Sequence, residues 1–239
     1  MDLHDKVAVV TGASRGLGRA FAAALLQAGA RVFGLARSAD DLKAIHQALG
    51  ERFTPVACDV TKQKRTDAAF ARVVEEAGRC DVLINNAGLG RFGDVDALAV
   101  DDWHVQVETN LNGLFYCTRA AVPLMKAQHK NEGFGGHIVN VASVAGLVGN
   151  AGMGAYNATK FGVRGLSEAW MKELRPHGIK VTCLYPGSVA THFFEVAETT
   201  MNPHAMRPED VAATVLHALQ TPNDYLISEI VLRPMTPRA

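Results

Sequence analysis

Val7-Ala8-Val9-Val10-Thr11-Gly12-Ala13-Ser14-Arg15-Gly16-Leu17-Gly18 is the stretch whose reading decides the fold. Its first four residues form a short, β-branched apolar run, the composition of a strand covered on both faces. Arg19 to Ala28 is a strong helix former that ends at Gly29. Strand, glycine turn and helix in that order allow a tight turn and close approach of the backbone to a pyrophosphate at the helix N-terminus.

Working outward, the pattern repeats. Arg31 to Leu35 reads as a strand ending at Ala36-Arg37. In dinucleotide folds an acid near this point holds the adenosine ribose 2′-hydroxyl, and an arginine accommodates a 2′-phosphate. No acid stands at the strand end, and Arg15 lies in the glycine loop, so the expected cofactor is NADP(H) over NAD(H). Asp40 to Leu49 reads as a helix and Phe53 to Ala57 as a strand closing on Asp59-Val60. Asp59 reads equally as a cap residue for the helix that follows and as an acceptor for an adenine amino group. Asp81 to Ile84 is a fourth strand, delivering Asn85-Asn86-Ala87-Gly88 to its carboxyl end. Asn85 reads as structural, while Ala87 and Gly88 let a ligand lie close.

A long helix is expected from about Asp101 to Met125, with an apolar stripe of Trp103, Val107, Leu111, Leu114 and Phe115. Asn110 falls inside that stripe, where a buried amide needs partners. A local flaw in an otherwise consistent helix marks a place to look for function. His137 to Ala142 is a strand ending at Ser143, and a glycine-rich stretch to Gly154 leads into a helix that runs to Pro176. Ile179 to Leu184 is the sixth strand, opening into Tyr185-Pro186-Gly187-Ser188-Val189-Ala190-Thr191 and an irregular segment through Phe193-Phe194. Arg207 to Gln220 is a further helix and Ile227 to Leu232 the last strand. The expectation is an α/β, Rossmann-type doubly wound, mostly parallel seven-stranded sheet with helices on both faces, forming one domain over residues 1–239.

Tyr156 and Lys160 are four residues apart and so share a helix face. A free tyrosine titrates near about 10, and an adjacent ammonium favours its phenolate. The pair is a candidate proton donor with its own pKa adjuster.

Bulk properties exclude several classes. Lys+Arg and Asp+Glu are equal at 24 each, so electrostatics offer no case for nucleic acid as a partner. No apolar run reaches the ~20 residues needed to cross a bilayer. The N-terminus carries two acids, Asp2 and Asp5, where a secretion signal would be basic, so a cytoplasmic protein is expected. Cys58, Cys80, Cys117 and Cys183 are dispersed, which reads as reduced thiols rather than a metal site.

The chain resembles the short-chain dehydrogenase/reductase family, in its single-domain branch, over essentially its whole length. The residues that carry the resemblance are Thr11 to Gly18, Asp59-Val60, Asn85 to Gly88, Asn110, Ser143, Tyr156-x-x-x-Lys160 and Pro186-Gly187. The resemblance implies Tyr156 as general acid/base, with Lys160 lowering its pKa and binding the nicotinamide ribose. It implies Ser143 as hydrogen-bond partner of the substrate oxygen and Asn110 as holder of a water on the proton path. Gly12, Gly16 and Gly18 would flank the pyrophosphate, with Ser14, Arg15 and Leu17 beside them and Arg37 at the adenosine end. Asp59 would meet the adenine, Val189 and Thr191 would secure the carboxamide, and Val60, Asn86, Ala87, Gly88, Tyr156, Pro186 and Gly187 would also bind the cofactor. Thr159, where serine or alanine is commoner, is expected not to matter. The substrate walls are expected at Gly90, Arg91, Phe92, Leu147 to Met153 and Phe193-Phe194, suiting an uncharged carbonyl or secondary alcohol. The family implies a homotetramer or homodimer through the helices carrying Asn110 and Tyr156, with Trp170 or Phe115 contributing. The competing expectation is a dinucleotide-binding redox sensor without turnover; the intact Asn110, Ser143, Tyr156 and Lys160 set speaks against it. A sugar-nucleotide epimerase is disfavoured because no substantial C-terminal substrate domain follows.

Overall fold

A computed structural model describes residues 1–236 of the chain; the last three residues of the expected 1–239 domain lie outside the described residues. Seven strands, β1 (Val7–Thr11), β2 (Arg31–Ala36), β3 (Phe53–Ala57), β4 (Val82–Asn85), β5 (Gly136–Val141), β6 (Ile179–Pro186) and β7 (Glu229–Leu232), form one sheet. Their order is β3-β2-β1-β4-β5-β6-β7, and every neighbouring pair is parallel. A parallel sheet needs cover on both faces, and every residue of β1, β4, β5 and β6 is buried.

On one face α1 (Gly16–Gln27), α2 (Ala39–Leu49) and α8 (Pro208–Gln220) bury Phe21, Leu25, Leu42, Val211 and Val215 against the sheet. On the other, α3 (Gln63–Ala77), α5 (Gly113–Glu132) and α6 (Gly154–Leu174) contribute Phe70, Val73, Met125 and Leu174. Strand order reverses between β1 and β4, which opens a crevice at the carboxyl ends. Thr11 bridges it: its hydroxyl oxygen accepts from the backbone N–H of both Asn86 and Ala87, each at 2.9 Å.

The helix expected over Asp101 to Met125 is different. It comprises α4 (Val100–Val107), a π-helical turn over Glu108–Asn112, and α5, which passes through Pro123 and ends at Glu132. The widened turn adds a residue to the repeat and shifts the buried face by about 100°. Of the predicted stripe only Leu114 is buried; Trp103 and Phe115 are 43% and 44% exposed. The buried face of α5 instead runs through Leu114, Cys117, Thr118, Ala121, Met125 and Gln128. That continuous packing outweighs the hydrogen bond lost at Pro123.

Smaller differences occur downstream. Phe193–Val196 forms a short helix, α7, and the last strand begins at Glu229 rather than Ile227. All four cysteines are buried and unpaired. Among the described residues no helix is long and apolar enough to cross a membrane.

Candidate active site

The carboxyl rim of the sheet borders a cleft of about 1270 Å³. Its phosphate end is the loop between β1 and α1. Gly12 and Gly16 adopt φ of +65° and +53°, a left-handed backbone that a β-carbon disfavours. The first turn of α1 contains no acid, and Arg15 at its N-cap makes no side-chain cap bond. The unsatisfied N–H groups there suit an anion. Asn86 turns its side chain into this loop, donating to the carbonyl of Thr11 at 2.9 Å, and so holds the glycines in place. Gly18 does not line the cleft. A β-carbon there would stand 2.1 Å from the Gly12 carbonyl oxygen, so Gly18 permits the close packing of α1 on the loop.

The other predicted cofactor residues do gather on the cleft: Ser14, Arg15, Leu17, Arg37, Asp59, Val60, Ala87, Gly88, Pro186, Gly187, Val189 and Thr191. Arg15 and Arg37 are exposed. The two expectations for Asp59 resolve partly toward the cap. Its Oδ1 accepts from the Thr61 backbone N–H at 3.0 Å and from the Thr61 hydroxyl at 2.8 Å, an Asx turn leading into α3. Thr191 stands across the cleft mouth, its Cβ 3.2 Å from where a side chain on Gly16 would begin.

Tyr156 and Lys160 occupy the first turns of α6, and both are buried. The Lys160 Nζ lies 5.6 Å from the Tyr156 ring centroid and donates to the Val141 carbonyl at 2.9 Å. Burial pushes the tyrosine up to about 12, and a hydrogen bond with Ser143 works in the opposite direction. Burial also pushes the lysine down to about 8. The expectation that the ammonium lowers the phenol's pKa is therefore not met in the cleft as it stands. Desolvation opposes the charge on both groups, and it is the larger effect. Ser143 stands at the end of β5, where its hydroxyl accepts from Ala145 N–H at 3.1 Å and donates to the Pro186 carbonyl at 3.4 Å.

Asn110 lies behind the cleft wall, on the π-helical turn. Its Oδ1 accepts from Leu89 N–H and its Nδ2 donates to the Leu89 carbonyl, both at 2.9 Å. A β-carbon on Gly88 would be 3.2 Å from Asn110 Oδ1 and 3.5 Å from Lys160 Nζ, so the amide and the ammonium converge on that glycine.

Two residues of the site escaped the sequence reading. Thr159 is buried, accepts from Asn110 Nδ2 at 3.0 Å, and donates to the Tyr156 carbonyl at 2.9 Å. It joins the π-helical turn to the acid/base helix. Asn157 donates to the carbonyls of Ala145 and Val148, at 2.6 and 2.9 Å, and accepts from Asn150 N–H at 3.0 Å. It pins the glycine-rich stretch after Ser143 onto α6. A signal existed for both, since polar side chains adjoining Tyr156 and Lys160 on a largely buried turn require partners.

This fold and this side-chain set match known proteins. The family model described as short chain dehydrogenase covers residues 6–202. An uncharacterized oxidoreductase of Staphylococcus aureus strain MRSA252 is 34% identical over 237 residues, covering 98% of this chain and 99% of that one. An alcohol dehydrogenase from the archaeon Thermococcus sibiricus, complexed with 5-hydroxy-NADP, has a TM-score of 0.89 at 30% identity, covering 99% of both chains. A 3-ketoacyl-(acyl-carrier-protein) reductase from Brucella melitensis, complexed with NADH, also reaches a TM-score of 0.89, at 25% identity over 96% of this chain and 97% of that one. The chain belongs to the short-chain dehydrogenase family of oxidoreductases.

Proposed function

We propose that the protein interconverts a carbonyl and a secondary alcohol with NADP(H) as cofactor and Tyr156 as general acid/base. The observation that carries this is the convergence of Tyr156, Ser143 and Lys160 on one cleft with the glycine loop. The loop's left-handed glycines and free α1 N-terminus fit a dinucleotide pyrophosphate. When bound, the nicotinamide would supply or accept the hydride.

The chain's own residues supply position and protons. Tyr156, with its pKa pushed up to about 12, keeps its proton at neutral pH, the state a donor to a developing alkoxide requires. Ser143 adds a second hydroxyl beside that oxygen. Lys160, at about 8, still carries its charge at pH 7 and offsets the phenolate left after transfer. The approach of Asn110 and Lys160 to one point at Gly88 supports a proton path from Lys160 that continues through a water held by Asn110. Tyr156→Phe is expected to lower carbonyl reduction by about 10³-fold while cofactor binding stays near wild type. Steady-state rates and a fluorescence titration with NADPH check this; an unchanged rate would refute the assignment of the acid.

The preference for NADP(H) rests on Arg15 and Arg37 at the adenosine end of the cleft, with no carboxylate at the end of β2. Both side chains are exposed on the cleft, where they can reach a 2′-phosphate. Arg37→Ala should weaken NADPH binding about tenfold and leave NADH binding nearly unchanged. Leu111, Phe115, Gly162 and Leu166 form a small apolar depression between α5 and α6, which supports the expected homo-oligomer.

A further inference from the structure

The part of the cleft beyond Tyr156 is built from rings. Phe92 meets Tyr156 edge-on, with centroids 5.7 Å apart and planes at 71°. Phe193 packs against Tyr156 at 5.6 Å and against Phe92 at 6.4 Å, and Phe194 stands T-shaped on Phe193 at 5.9 Å. These are separations at which aromatic faces and edges attract one another. A carbonyl oxygen presented to Tyr156 and Ser143 must place its carbon substituents against these rings.

The depth of this ring pocket is set by Gly90, which is buried on the loop after β4. A β-carbon there would lie 2.9 Å from Phe193 Cζ and 2.9 Å from Phe92 Cε1. Any larger residue would push both rings out of their present places.

Arg91 stands beside the rings. It is the only arginine lining this end of the cleft among the described residues; Arg15 and Arg37 lie at the glycine-loop end. Its Nη1 donates to the Val196 carbonyl on α7, and its Nε stands 3.4 Å from Asp102. Its own backbone N–H donates to the buried Gln106 at 3.1 Å. Arg91 is thus a strut that ties α7, and with it Phe193, across to α4. Its guanidinium is already engaged by Asp102 and the Val196 carbonyl, so a substrate carboxylate approaching Arg91 would have to displace those partners.

Resting on the proposed carbonyl chemistry, we infer that the site selects uncharged carbonyl compounds bearing a flat aromatic group next to the reacting carbon. Phe92 and Phe193 form the seat, Gly90 sets its depth, and Arg91 is a positioning residue rather than an anion clamp.

The test compares acetophenone, butanone and phenylpyruvate as substrates with NADPH, and follows binding of the non-reducible probe benzamide to the cofactor-loaded protein by saturation-transfer NMR. The wild type should favour acetophenone over phenylpyruvate by about 100-fold in kcat/KM. Phe193→Ala should lower the acetophenone-to-butanone ratio about tenfold and weaken benzamide binding to a similar degree. Gly90→Ala, which displaces the rings without removing them, should shift the same ratio in the same direction by less.

Preference for phenylpyruvate, or a ratio unmoved by both variants, would overturn this inference and leave the carbonyl chemistry standing. Saturable benzamide binding that is lost in Phe193→Ala, with no carbonyl reduced, would support the ring seat and reject the chemistry. Neither turnover nor benzamide binding would sink both.

Discussion

Two lysines in this fold are equally buried, at 5% exposure each, and do opposite things. Lys180, on β6 near the amino-terminal end of the sheet, donates to the Thr221 hydroxyl and to the carbonyls of Pro222 and Tyr225. All three ammonium protons are used. Lys160, at the carboxyl rim, donates to a single partner among the described residues, the Val141 carbonyl, and borders the cleft. Burial lowers the pKa of both. The difference is one of remaining capacity: Lys180 spends its donors on the protein, whereas Lys160 at the rim holds donors in reserve.

Exchanging each lysine for methionine should break this symmetry most visibly. Lys160→Met is expected to lower turnover by about 10²-fold and change unfolding free energy by less than about 1 kcal/mol, because only one protein hydrogen bond is lost. Lys180→Met should leave the rate per folded molecule near wild type and cost about 2–3 kcal/mol, since three acceptors lose their donor. Urea unfolding beside steady-state kinetics distinguishes the two. Equal losses of stability would show that the rim lysine is structural after all.

A smaller effect is expected at Thr159. Thr159→Val keeps the shape, but Asn110 Nδ2 loses one of its two acceptors. Turnover should fall about tenfold with a stability cost of about 1 kcal/mol. Thr159→Ser should restore both, which a purely steric role would not explain.

The gentlest probe addresses the far end through pH. His137 is fully buried on β5, and its Nε2 is 2.7 Å from the Thr182 hydroxyl. Burial first, then the charges of Lys180 and the chain's N-terminal ammonium, hold its pKa down to about 3 from 6.5. The unfolded chain therefore binds the extra proton between those values, and stability falls as pH drops through 6.5 toward 3. The slope from this group is at most ~1.4 kcal/mol per pH unit. Urea midpoints at pH 7.5 and 5.5 should show the decline, and His137→Gln should flatten it.

The legible and illegible parts of the chain divide along similar lines. The strand, glycine loop and helix from Val7 to Gln27, and the Tyr156/Lys160 turn, were visible because their meaning is local. Asn110 was noticed as a polar intruder, but the π-helical turn that carries it was not. Apolar periodicity was read at a constant 3.6 residues, so Trp103 and Phe115 were placed inward when they face out. The role of Thr159 is not legible in the sequence because its hydroxyl meets a partner 49 residues away. The opposed pKa shifts of Tyr156 and Lys160 were missed for a related reason: spacing shows that two charges are near, but not how far both are from water.

The widened turn over Glu108–Asn112 has a practical side. Because an extra residue sits within one helical repeat, excising a single position there would let the helix rewind to regular pitch. Asn110's amide would swing by about 100°, away from Leu89 and Thr159, while the asparagine itself is retained. Such a deletion would separate what the asparagine is from where it is aimed.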